Sequence, residues 1–242
     1  MLRHLHAASG PVDPADMVFS EERKAAGGSP WVMFNMVASV DGATAVEGGS
    51  SALNDEDDAA LFAALRAVPD VILVGAGTVR AENYGPVTLD ERRRARRVER
   101  GLDAVPRLAI ATRTLSLEPD MRVFDDAERK PMLIVGDDVP EERLEEFSDR
   151  AEIVQLPDLD AASIIACLGD PDVVLCEGGP SLNGQLIAGG FIDEMNLTLS
   201  PLVAVGESNR IAHGDELHPP ADMKLDRALR GDRALFLRYV RA

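Results

Sequence analysis

Residues 173–182 read Val-Val-Leu-Cys-Glu-Gly-Gly-Pro-Ser-Leu, an apolar run that stops at an acid and two glycines. The run is too short and too rich in β-branched residues for a helix, and it predicts a strand buried on both faces of a sheet. Pro180 is typical of the first position of a helix. The stretch therefore predicts the strand–loop–helix unit of a parallel α/β sheet, with Glu177, Gly178 and Gly179 at the strand end, where such sheets bind ligands.

Short apolar runs like this one recur along the chain, with helical patterns between most of them. The other predicted strands are Trp31–Ala38, Val71–Gly75, Leu108–Thr112, Met132–Val135, Ile153–Leu156, Met195–Val203 and Ala234–Val240. The predicted helices between them are Asp55–Ala67, Glu141–Phe147, Leu159–Leu168 and Ser181–Ala188. Residues 204–233 show no convincing helix, so the end of the sheet is expected to be antiparallel. The order predicts an α/β fold with a mostly parallel, mixed central sheet flanked by helices.

The composition limits the function classes. The chain has 242 residues, of which 45% are hydrophobic and 28% charged, so one α/β domain can bury a core. Its 42 acidic and 25 basic residues give a net charge of −17, which argues against a general nucleic-acid or anionic-membrane surface. Two cysteines are too few for a disulfide framework or a zinc site, and no metal is expected. With no membrane span and no signal-peptide pattern, a cytoplasmic protein is expected.

The first thirty residues are interpreted as an N-terminal extension and linker, and residues 31–242 as the single folded domain. Asp13-Pro14-Ala15-Asp16 has the residues that begin a helix, here a short one that ends near Lys24. Ala26–Pro30 contains two glycines and a proline and reads as the linker. No internal repeat and no second core-sized region follow it.

A second glycine-rich loop leaves the predicted strand Val71–Gly75 and reads Gly75-Ala76-Gly77-Thr78-Val79-Arg80. It matches half of a dinucleotide-binding fingerprint, but Arg80 stands where a third glycine is expected. Two glycines permit a tight turn, and the amides of a following helix attract an anion. A phosphate or ribose loop is one interpretation and an ordinary turn is the other. Together with the Gly178–Gly179 loop, it indicates one extended anionic ligand that touches both.

Two more strand ends carry residues with useful chemistry. Asp41-Gly42 is typical of a turn, and the alternative is a carboxylate at the lip of a pocket. At Thr112-Arg113 a hydroxyl stands beside a guanidinium, and this pair can bind a terminal phosphate monoester. The alternative interpretation of Arg113 is an ordinary exposed loop arginine. The run Arg92–Arg97 is interpreted as a solvated helix face, because Glu91 and Glu99 partly balance its charge.

Taken in order, several of these segments resemble one family. They are Ser39-Val40-Asp41-Gly42, Ser50, Leu65-Arg66-Ala67, Gly75-x-Gly77-Thr78-Val79-Arg80, Glu177-Gly178-Gly179-Pro180-Ser181-Leu182 and Asp193-Glu194. Over about residues 31 to 240 the chain is similar to the bacterial riboflavin-pathway pyrimidine reductases, in an expected stand-alone form without the zinc-deaminase domain. The resemblance implies a dihydrofolate-reductase-like fold, a three-layer sandwich around the mixed sheet.

The resemblance also implies NADPH as hydride donor, a pyrimidine or pterin-like small-molecule substrate and a homodimer. Thr78 and the helix start Gly179–Gln185 would hold the ribose and pyrophosphate of the cofactor, and Thr112 with Arg113 its adenosine 2′-phosphate. Glu82 stands where family members commonly carry an aspartate. The expected cofactor-binding residues are thus Thr78, Glu82, Thr112, Arg113, Gly178, Gly179, Pro180, Ser181 and Leu182. The expected substrate-binding residues are Ser50, Arg80 and Glu177, and the catalytic candidates are Asp41 and Glu177.

Two departures from the family concern the substrate phosphate. The first helix of the family supplies an arginine that would fall near Ala59 or Ala60, and a second arginine would fall near Leu89. Neither arginine is present in this sequence. Arg80 or the Arg92–Arg97 run is expected to substitute, because each charge-assisted contact that is lost is worth roughly 1.5–3 kcal/mol.

The leading hypothesis is an NADPH-dependent reductase that transfers a hydride to C1′ of a ribosylamino-pyrimidine 5′-phosphate and gives the open-chain ribitylamino product. Three alternatives stay open. The first is a reductase of the same fold that acts on another heterocycle such as dihydrofolate, which the missing arginines favour. The second is a non-catalytic module that binds a nucleotide through the two glycine-rich loops, and the third is a Rossmann dehydrogenase.

Overall fold

Nine strands form one sheet in the computed structural model, which describes residues 10–24 and 27–242. They are β1 (Trp31–Ser39), β2 (Val71–Gly75), β3 (Arg107–Thr112), β4 (Met132–Gly136), β5 (Glu152–Leu156), β6 (Val173–Cys176), β7 (Glu194–Ser200), β8 (Met223–Arg230) and β9 (Leu235–Arg241). Their spatial order is β5-β4-β3-β2-β6-β1-β7-β9-β8. β9 is antiparallel to both of its neighbours, β7 and β8, and all other neighbouring strands are parallel to each other. The predicted mostly parallel, mixed sheet is confirmed.

Helices cover both faces of this sheet. They are α1 (Pro14–Ser20), α2 (Glu56–Leu65), α3 (Ala76–Ala81), α4 (Glu91–Glu99), α5 (Glu141–Glu145), α6 (Ala161–Cys167) and α7 (Pro180–Ala188). Side chains alternate along a strand, so Ile72 and Val74 join the apolar core with α1 and α2, whereas Val71 and Leu73 join the core with α6 and α7. Within the described ranges, no helix has both the length and the apolar character needed to cross a membrane.

The strand order reverses near the centre of the sheet. After β1 the chain builds β2, β3, β4 and β5 outward in one direction, and it then returns to insert β6 between β2 and β1. A crevice forms at the carboxyl ends of the strands where such a reversal occurs. The parallel pairing of β2 with both β3 and β6 brings the loops after Gly75, Thr112 and Cys176 to this crevice.

No helix is expected within residues 204–233, and the structure has none there, but it has a strand, β8, that the sequence patterns do not predict. This strand reads Met-Lys-Leu-Asp-Arg-Ala-Leu-Arg, and none of its residues is fully buried, because it is one of the two edge strands of the sheet. Charged residues on an edge strand block further pairing with other chains. The same charges remove the apolar pattern by which the other strands are predicted. The expected antiparallel end of the sheet is confirmed by the pairing of β9 with β7 and β8.

The segment before β1 contributes a helix that packs on the core. α1 begins after Asp13, whose side chain caps it, and ends at Ser20 rather than near Lys24. Its inner face is buried against residues of α2 and the sheet. Residues 1–9 of the predicted extension and residues 25–26, where the predicted linker begins, lie outside the described residues.

The arginine run lies on α4, and one of its members is not solvated as predicted. Arg97 is only 1% exposed and donates hydrogen bonds to the carbonyl oxygens of Ala67 at 3.1 Å, Pro69 at 2.6 Å and Asp103 at 2.7 Å. Burial lowers the pKa of Arg97 to about 10. The side chain ties α4 to the segment between α2 and β2. The four other arginines of the run have the same charge and hide this role in the sequence.

Candidate active site

A cavity of about 960 Å³ opens at the crevice where the strand order reverses. Its wall contains parts of α2 and α7, the loops after β2, β3 and β6, and the segment after α3. Of the predicted site residues, the wall includes Ser50, Thr78, Glu82, Thr112, Arg113, Glu177, Gly178, Gly179, Pro180, Ser181 and Leu182. Asp41 and Arg80 do not line it.

The two glycine-rich loops touch each other in the cavity wall. The Gly75 amide donates a hydrogen bond to the Gly178 carbonyl oxygen at 2.7 Å. A methyl group on Gly179 would lie 2.8 Å from Thr78 Oγ1, closer than side-chain carbons are found. Gly178 has a φ of +88°, a conformation that favours glycine. Glycine is required here because two backbones approach closely, and the resulting wall consists of main-chain groups.

α7 begins at this contact with free amide groups. Its first residue is Pro180, and Gly179 caps the helix without a side-chain hydrogen bond. Within the described residues, the amides of Ser181 and Leu182 donate to no protein acceptor. Unpaired amides and the helix dipole together attract an anion. The arrangement fits a pyrophosphate lying across the two loops.

The loop after β3 adds a hydroxyl and a guanidinium to the same wall. Thr112 is buried, and its Oγ1 accepts a hydrogen bond from the Ser116 amide at 3.2 Å. Arg113 is exposed to solvent at the cavity, with no carboxylate of the described residues in ion-pair contact. A cation without a carboxylate partner can bind a phosphate monoester in a fork geometry. The predicted role of Thr112 and Arg113 requires this placement.

Glu177 directly follows β6 and lies in a cluster of buried and half-buried polar side chains. Arg66 donates one hydrogen bond from Nε to Glu177 Oε1 at 2.7 Å and another from Nη2 to Oε2 at 2.6 Å. This is the bidentate geometry of a strong arginine–carboxylate pair. The Tyr84 hydroxyl donates to Oε2 at 2.8 Å. The Arg66 guanidinium also lies over the rings of Phe62 and Tyr84, 4.4 Å and 5.2 Å from their centres. We refer to Arg66, Tyr84 and Glu177 as the Glu177 cluster.

Burial and charge set the protonation of the Glu177 cluster. Burial lowers the pKa of Arg66, but the Glu177 charge and hydrogen bonds outweigh this and raise it above its ordinary value. Burial raises the pKa of Tyr84 well above 10.0, and the Glu177 charge adds to this. Arg66 therefore keeps its charge and Tyr84 its proton, and Glu177 accepts three hydrogen bonds. The sequence contains Arg66 only within a motif, without a role, and gives no signal for Tyr84.

A further acid in the wall, Asp58, is not among the predicted residues. It lies on α2 and is 8% exposed, and its Oδ1 accepts a hydrogen bond from the hydroxyl of buried Thr198 at 2.6 Å. Burial raises the pKa of Asp58. The sequence shows Asp58 only as one of three acids in the first turn of α2, where a negative charge interacts favourably with the helix dipole. Nothing in that pattern separates it from Glu56 and Asp57.

Ser50 and Glu82 meet at the cavity. Glu82 Oε1 accepts a hydrogen bond from the Ser50 amide at 2.8 Å, and both residues line the wall. Glu82 therefore holds the loop that carries Ser50, a role that follows from the fold and not from the motif. The expected contact of Glu82 with the cofactor stays a prediction.

The placement of Asp41 contradicts its expected catalytic role. Its carboxylate accepts the Ser39 hydroxyl at 2.5 Å and the amides of Ala204 at 3.1 Å and Val205 at 2.8 Å. The Ser39 hydroxyl, followed by these amides, lowers the pKa of Asp41 to about 2. Asp41 lies outside the cavity wall and joins the turn after β1 to the loop after β7. The turn interpretation of Asp41-Gly42 is the one that the geometry supports.

The arginines expected to replace the missing family arginines also lie elsewhere. Arg80 donates to the Ser116 carbonyl at 2.5 Å and to its hydroxyl at 2.6 Å, so it joins α3 to the loop after β3. The ion pairs of the Arg92–Arg97 run connect Arg92 and Arg96 to Asp16, and Arg94 to Glu128. The expectation that Arg80 or this run contacts the substrate is therefore wrong.

Arg122 is a cavity arginine that no motif marks. It lies in a short 3-10 turn, and its Nη1 donates to the Asn83 carbonyl oxygen at 3.3 Å. No carboxylate of the described residues is in ion-pair contact with it, unlike Arg66. Asn83 precedes Tyr84 in the chain, so Arg122 lies beside the Glu177 cluster. The wall thus contains a free cation close to a buried polar cluster.

Comparisons with known proteins agree with this arrangement. A profile of the family described as the RibD C-terminal domain matches residues 30–235. A relative from Methanothermobacter thermautotrophicus is named 2,5-diamino-6-ribosylamino-4(3H)-pyrimidinone 5′-phosphate reductase. It is 28% identical over 198 residues, which cover 80% of this chain and 88% of the relative.

Solved structures share the fold. A pyrimidine reductase-like protein of Corynebacterium diphtheriae has a TM-score of 0.84 at 23% identity, over 96% of this chain and 99% of its own. A Thermotoga maritima protein described as a diaminohydroxyphosphoribosylaminopyrimidine deaminase/5-amino-6-(5-phosphoribosylamino)uracil reductase has a TM-score of 0.69 at 21% identity, over 88% and 57% of the two chains. The expected dihydrofolate-reductase-like sandwich is confirmed. This chain belongs to the RibD C-terminal domain family.

Proposed function

We propose that this chain is an NADPH-dependent reductase that converts a ribosylamino-pyrimidine 5′-phosphate into its ribitylamino product. The observation that carries the proposal is the contact between Gly75 and Gly178, 2.7 Å from amide nitrogen to carbonyl oxygen. This contact joins a main-chain anion site to the Glu177 cluster inside one cavity. The family and the name of the archaeal relative support the reaction class.

NADPH fits the main-chain side of the cavity. The Ser181 and Leu182 amides would bind its pyrophosphate, and Arg113 with Thr112 would bind its 2′-phosphate. Thr78 would contact the ribose, as the family resemblance implies. When bound, NADPH supplies the hydride. The absence of side chains at Gly178 and Gly179 leaves room for a flat ligand against the backbone.

The proposed reaction consumes one hydride and one proton. In the substrate the C1′–O4′ bond breaks, C1′ gains the hydride and O4′ gains the proton, while NADPH is oxidised to NADP⁺. The residues of this chain contribute mainly by positioning the two reactants. A carboxylate has roughly four acceptor positions, of which Arg66 and Tyr84 use three at Glu177. The remaining position, on Oε1, is available to a ribose hydroxyl, which makes Glu177 a substrate-binding acceptor.

Arg122 is the residue that we expect to bind the substrate 5′-phosphate. Arg66 is held by Glu177 and Arg113 lies at the cofactor side, whereas the one partner of Arg122 among the described residues is the Asn83 carbonyl oxygen. Arg122→Ala should raise KM for the phosphorylated substrate about tenfold or more and leave KM for NADPH unchanged. Arg129→Ala, which removes an exposed ion pair with Asp103, is the matched control. Equal changes in both KM values would argue against this role.

The proposed reaction is tested by following NADPH oxidation with the purified protein. The ribosylamino-pyrimidine phosphate and dihydrofolate are offered in parallel at the same NADPH concentration. We expect turnover of the pyrimidine and the appearance of its ribitylamino product by mass spectrometry. Tight NADPH binding without turnover of either compound would instead support a non-catalytic nucleotide-binding module.

Reduction of dihydrofolate is the second candidate function. Asp58 favours it, because a buried carboxylate in the wall can bind the amino edge of a pterin ring. The absence of an arginine near Ala59 or Ala60, and of another near Leu89, also removes two phosphate contacts of the family. Turnover of dihydrofolate alone would support this candidate. The proposed cofactor would then be right and the proposed substrate wrong.

Two further expectations from the resemblance stay proposals. We expect a homodimer, which light scattering after size-exclusion chromatography measures directly. A cytoplasmic location is expected for a biosynthetic reductase that draws on the NADPH pool, and cell fractionation measures it. A monomer that is fully active would contradict the first expectation.

A further inference from the structure

The segment before β1 lies outside the matched family profile, which begins at residue 30, yet it packs on the folded domain. We refer to residues 13–24 as the N-terminal arm. Its helix α1 packs against α2, and Ala15 and Val18 join Leu61 and Leu65 of α2 in one apolar cluster. Val18 is fully buried. The arm therefore covers one side of α2.

A buried ion pair attaches the end of the arm to the sheet. Arg23 donates from Nε to Glu194 Oε2 at 2.9 Å and from Nη2 to Oε1 at 2.8 Å, and its side chain is only 2% exposed. Its Nη1 donates to the Val18 carbonyl oxygen at 3.0 Å. Bidentate pairs of this kind fix the geometry of both partners. Arg23 thus joins the end of α1 to β7.

A second attachment of the arm is to the arginines of α4. Arg92 and Arg96 form ion pairs with Asp16. Arg100, at the end of α4, donates from Nη2 to the Phe19 carbonyl oxygen at 2.6 Å, and its guanidinium lies 4.6 Å from the centre of the Phe19 ring. Exposed ion pairs contribute little by themselves, but the contacts with buried Phe19 are partly shielded from solvent. The arm is therefore held by α4 as well as by β7.

The side of α2 next to the arm-covered one forms part of the cavity wall. Asp58, Phe62 and Arg66 are spaced four residues apart, so they lie in one stripe along the helix, and all three line the cavity. Leu61 and Leu65 lie in the neighbouring stripe, in the cluster with the arm. A helix of ten residues is marginal without packing partners. The position of the cavity stripe therefore depends on what packs behind it.

The arm and the cavity stripe also share one strand as support. Glu194, which binds Arg23, and Thr198, which binds Asp58, lie four residues apart on β7. Side chains alternate along a strand, so both point to the same face of the sheet. β7 thus connects the buried ion pair of the arm to the contact that holds Asp58.

We propose that the N-terminal arm is a positioning element for substrate binding, which fixes α2 so that Asp58 and Arg66 keep the places that the substrate requires. The inference rests on the proposed function. No residue of the arm lines the cavity, so Val18 and Arg23 act through α2 and β7 and touch neither reactant. The proposed cofactor contacts lie on α7 and on the loops after β2 and β3, away from α2. Loosening the arm should therefore weaken substrate binding and leave NADPH binding unchanged.

The first test compares Val18→Ala with Val32→Ala by steady-state kinetics. Both valines are fully buried and lose the same two methyl groups, but Val32 belongs to the core with α6 and α7 and does not line the cavity. Val18→Ala should raise KM for the ribosylamino-pyrimidine phosphate about 3- to 10-fold, because small displacements of positioning groups are costly. KM for NADPH should not change. Val32→Ala should leave both KM values unchanged.

A second pair of variants tests the attachment to β7. Arg23→Lys keeps the charge that faces Glu194 but loses the bidentate geometry and the bond to the Val18 carbonyl oxygen. It should raise KM for the pyrimidine in the same selective way. The control is Lys24→Gln, which removes a neighbouring charge whose side chain is 79% exposed and should leave both KM values unchanged.

Hydrogen–deuterium exchange followed by mass spectrometry measures the same effect without turnover. Peptides of α2 should exchange faster in Val18→Ala than in the unaltered protein, and peptides of α7 should not. If neither the pyrimidine nor dihydrofolate is reduced, the proposed function fails separately, and the exchange rates still test the arm. An equal acceleration in α2 and α7 would contradict the inference.

Three kinetic results would overturn the role of the arm. One is an equal rise in the KM values for the pyrimidine and NADPH in Val18→Ala, and another is the same rise in KM for the pyrimidine in Val32→Ala. The third is an unchanged KM for the pyrimidine in Val18→Ala although its free energy of unfolding is lowered. Each would show that the arm contributes to stability alone.

Discussion

The two ends of the cavity are built from different parts of the chain. The proposed cofactor end consists of main-chain groups, namely the Gly75–Gly178 contact and the free amides at the start of α7. The proposed substrate end consists of buried and half-buried side chains, the Glu177 cluster and the pair of Asp58 with Thr198. A main-chain site depends on close approach of the backbone, and a side-chain site depends on which partners the fold brings together.

This difference explains why the two ends tolerate different changes. At the proposed cofactor end a methyl group added at Gly179 is harmful, because it would lie 2.8 Å from Thr78 Oγ1. At the substrate end the side chains are already packed, and the harm comes from removing a charge that its partner needs. Substitutions at one end should therefore leave the other end working, and each prediction below tests that separation.

The largest effect is expected at the Glu177 cluster. In Glu177→Gln the half-buried Arg66 guanidinium loses the charge that it faces, and the cost in unfolding free energy should lie toward the lower end of the about 3–5 kcal/mol typical of a buried pair broken from one side. Turnover should fall, whereas NADPH binding should persist. Chemical denaturation and NADPH titration measure the two quantities.

The control for this change is an exposed pair. Glu128→Gln removes the surface partner of Arg94 and should leave the free energy of unfolding almost unchanged, because solvent screens an exposed pair. If Glu177→Gln remains folded but no longer binds NADPH, the two ends are not separate.

A smaller effect is expected where the glycine loops meet. Gly179→Ala places a methyl group 2.8 Å from Thr78 Oγ1, and overpacking of this kind costs about 1–3 kcal/mol. We expect NADPH affinity to fall roughly tenfold and the Glu177 cluster to stay intact. For stability the comparison is Gly77→Ala, where the added methyl group meets no atom within 4 Å. Equal unfolding free energies for the two variants would show that the contact is not tight.

Arg113→Ala should lower the affinity for NADPH but not the affinity for NADH. The side chain has no carboxylate partner among the described residues and is available to the 2′-phosphate that only NADPH carries. Affinity for NADPH should fall about tenfold, within the range of a charge-assisted contact at a partly exposed site, and affinity for NADH should not change. A parallel loss for both nucleotides would remove Arg113 from the 2′-phosphate site.

The smallest effect concerns Asp58 and pH. Burial raises its pKa above the unfolded value of 3.8, so the folded protein holds this proton more tightly than the unfolded chain. Stability is therefore lost as the pH rises through the raised pKa, and Asp58 is unfavourable for folding at neutral pH. Asp58→Asn should raise the free energy of unfolding at neutral pH, and the gain should vanish below the unfolded pKa. Denaturation series at neutral and acidic pH measure the difference, and a gain that does not depend on pH would contradict it.

The main-chain end could be predicted from the sequence because its requirements are local. Glycines that must approach another backbone, and a proline at the first helical position, stand next to one another in Gly178-Gly179-Pro180. The β8 strand is hidden for the opposite reason, since edge charges replace the apolar pattern. Arg97 is hidden because burial, not residue type, distinguishes it from its neighbours.

The substrate end could not be predicted because its partners are distant in sequence. Glu177 lies 111 residues from Arg66 and 93 from Tyr84, and Asp58 lies 140 from Thr198. No spacing rule connects such pairs before the fold is known. The catalytic role expected for Asp41 is wrong for the same reason. Its carboxylate accepts hydrogen bonds from the amides of Ala204 and Val205, which are distant in sequence, so the sequence alone does not show that the carboxylate is already occupied.

The position of β6 has a consequence for synthesis of the chain. β1 is made early, but its neighbours on both sides, β6 and β7, begin at Val173 and Glu194. During synthesis on the ribosome the apolar β1 therefore has no neighbouring strand to pair with until about three quarters of the chain has been made. Pairing over such long sequence separation is slow, and an unpaired apolar strand is prone to aggregation. A nascent chain stalled before β6 should therefore depend on chaperones far more than the finished protein.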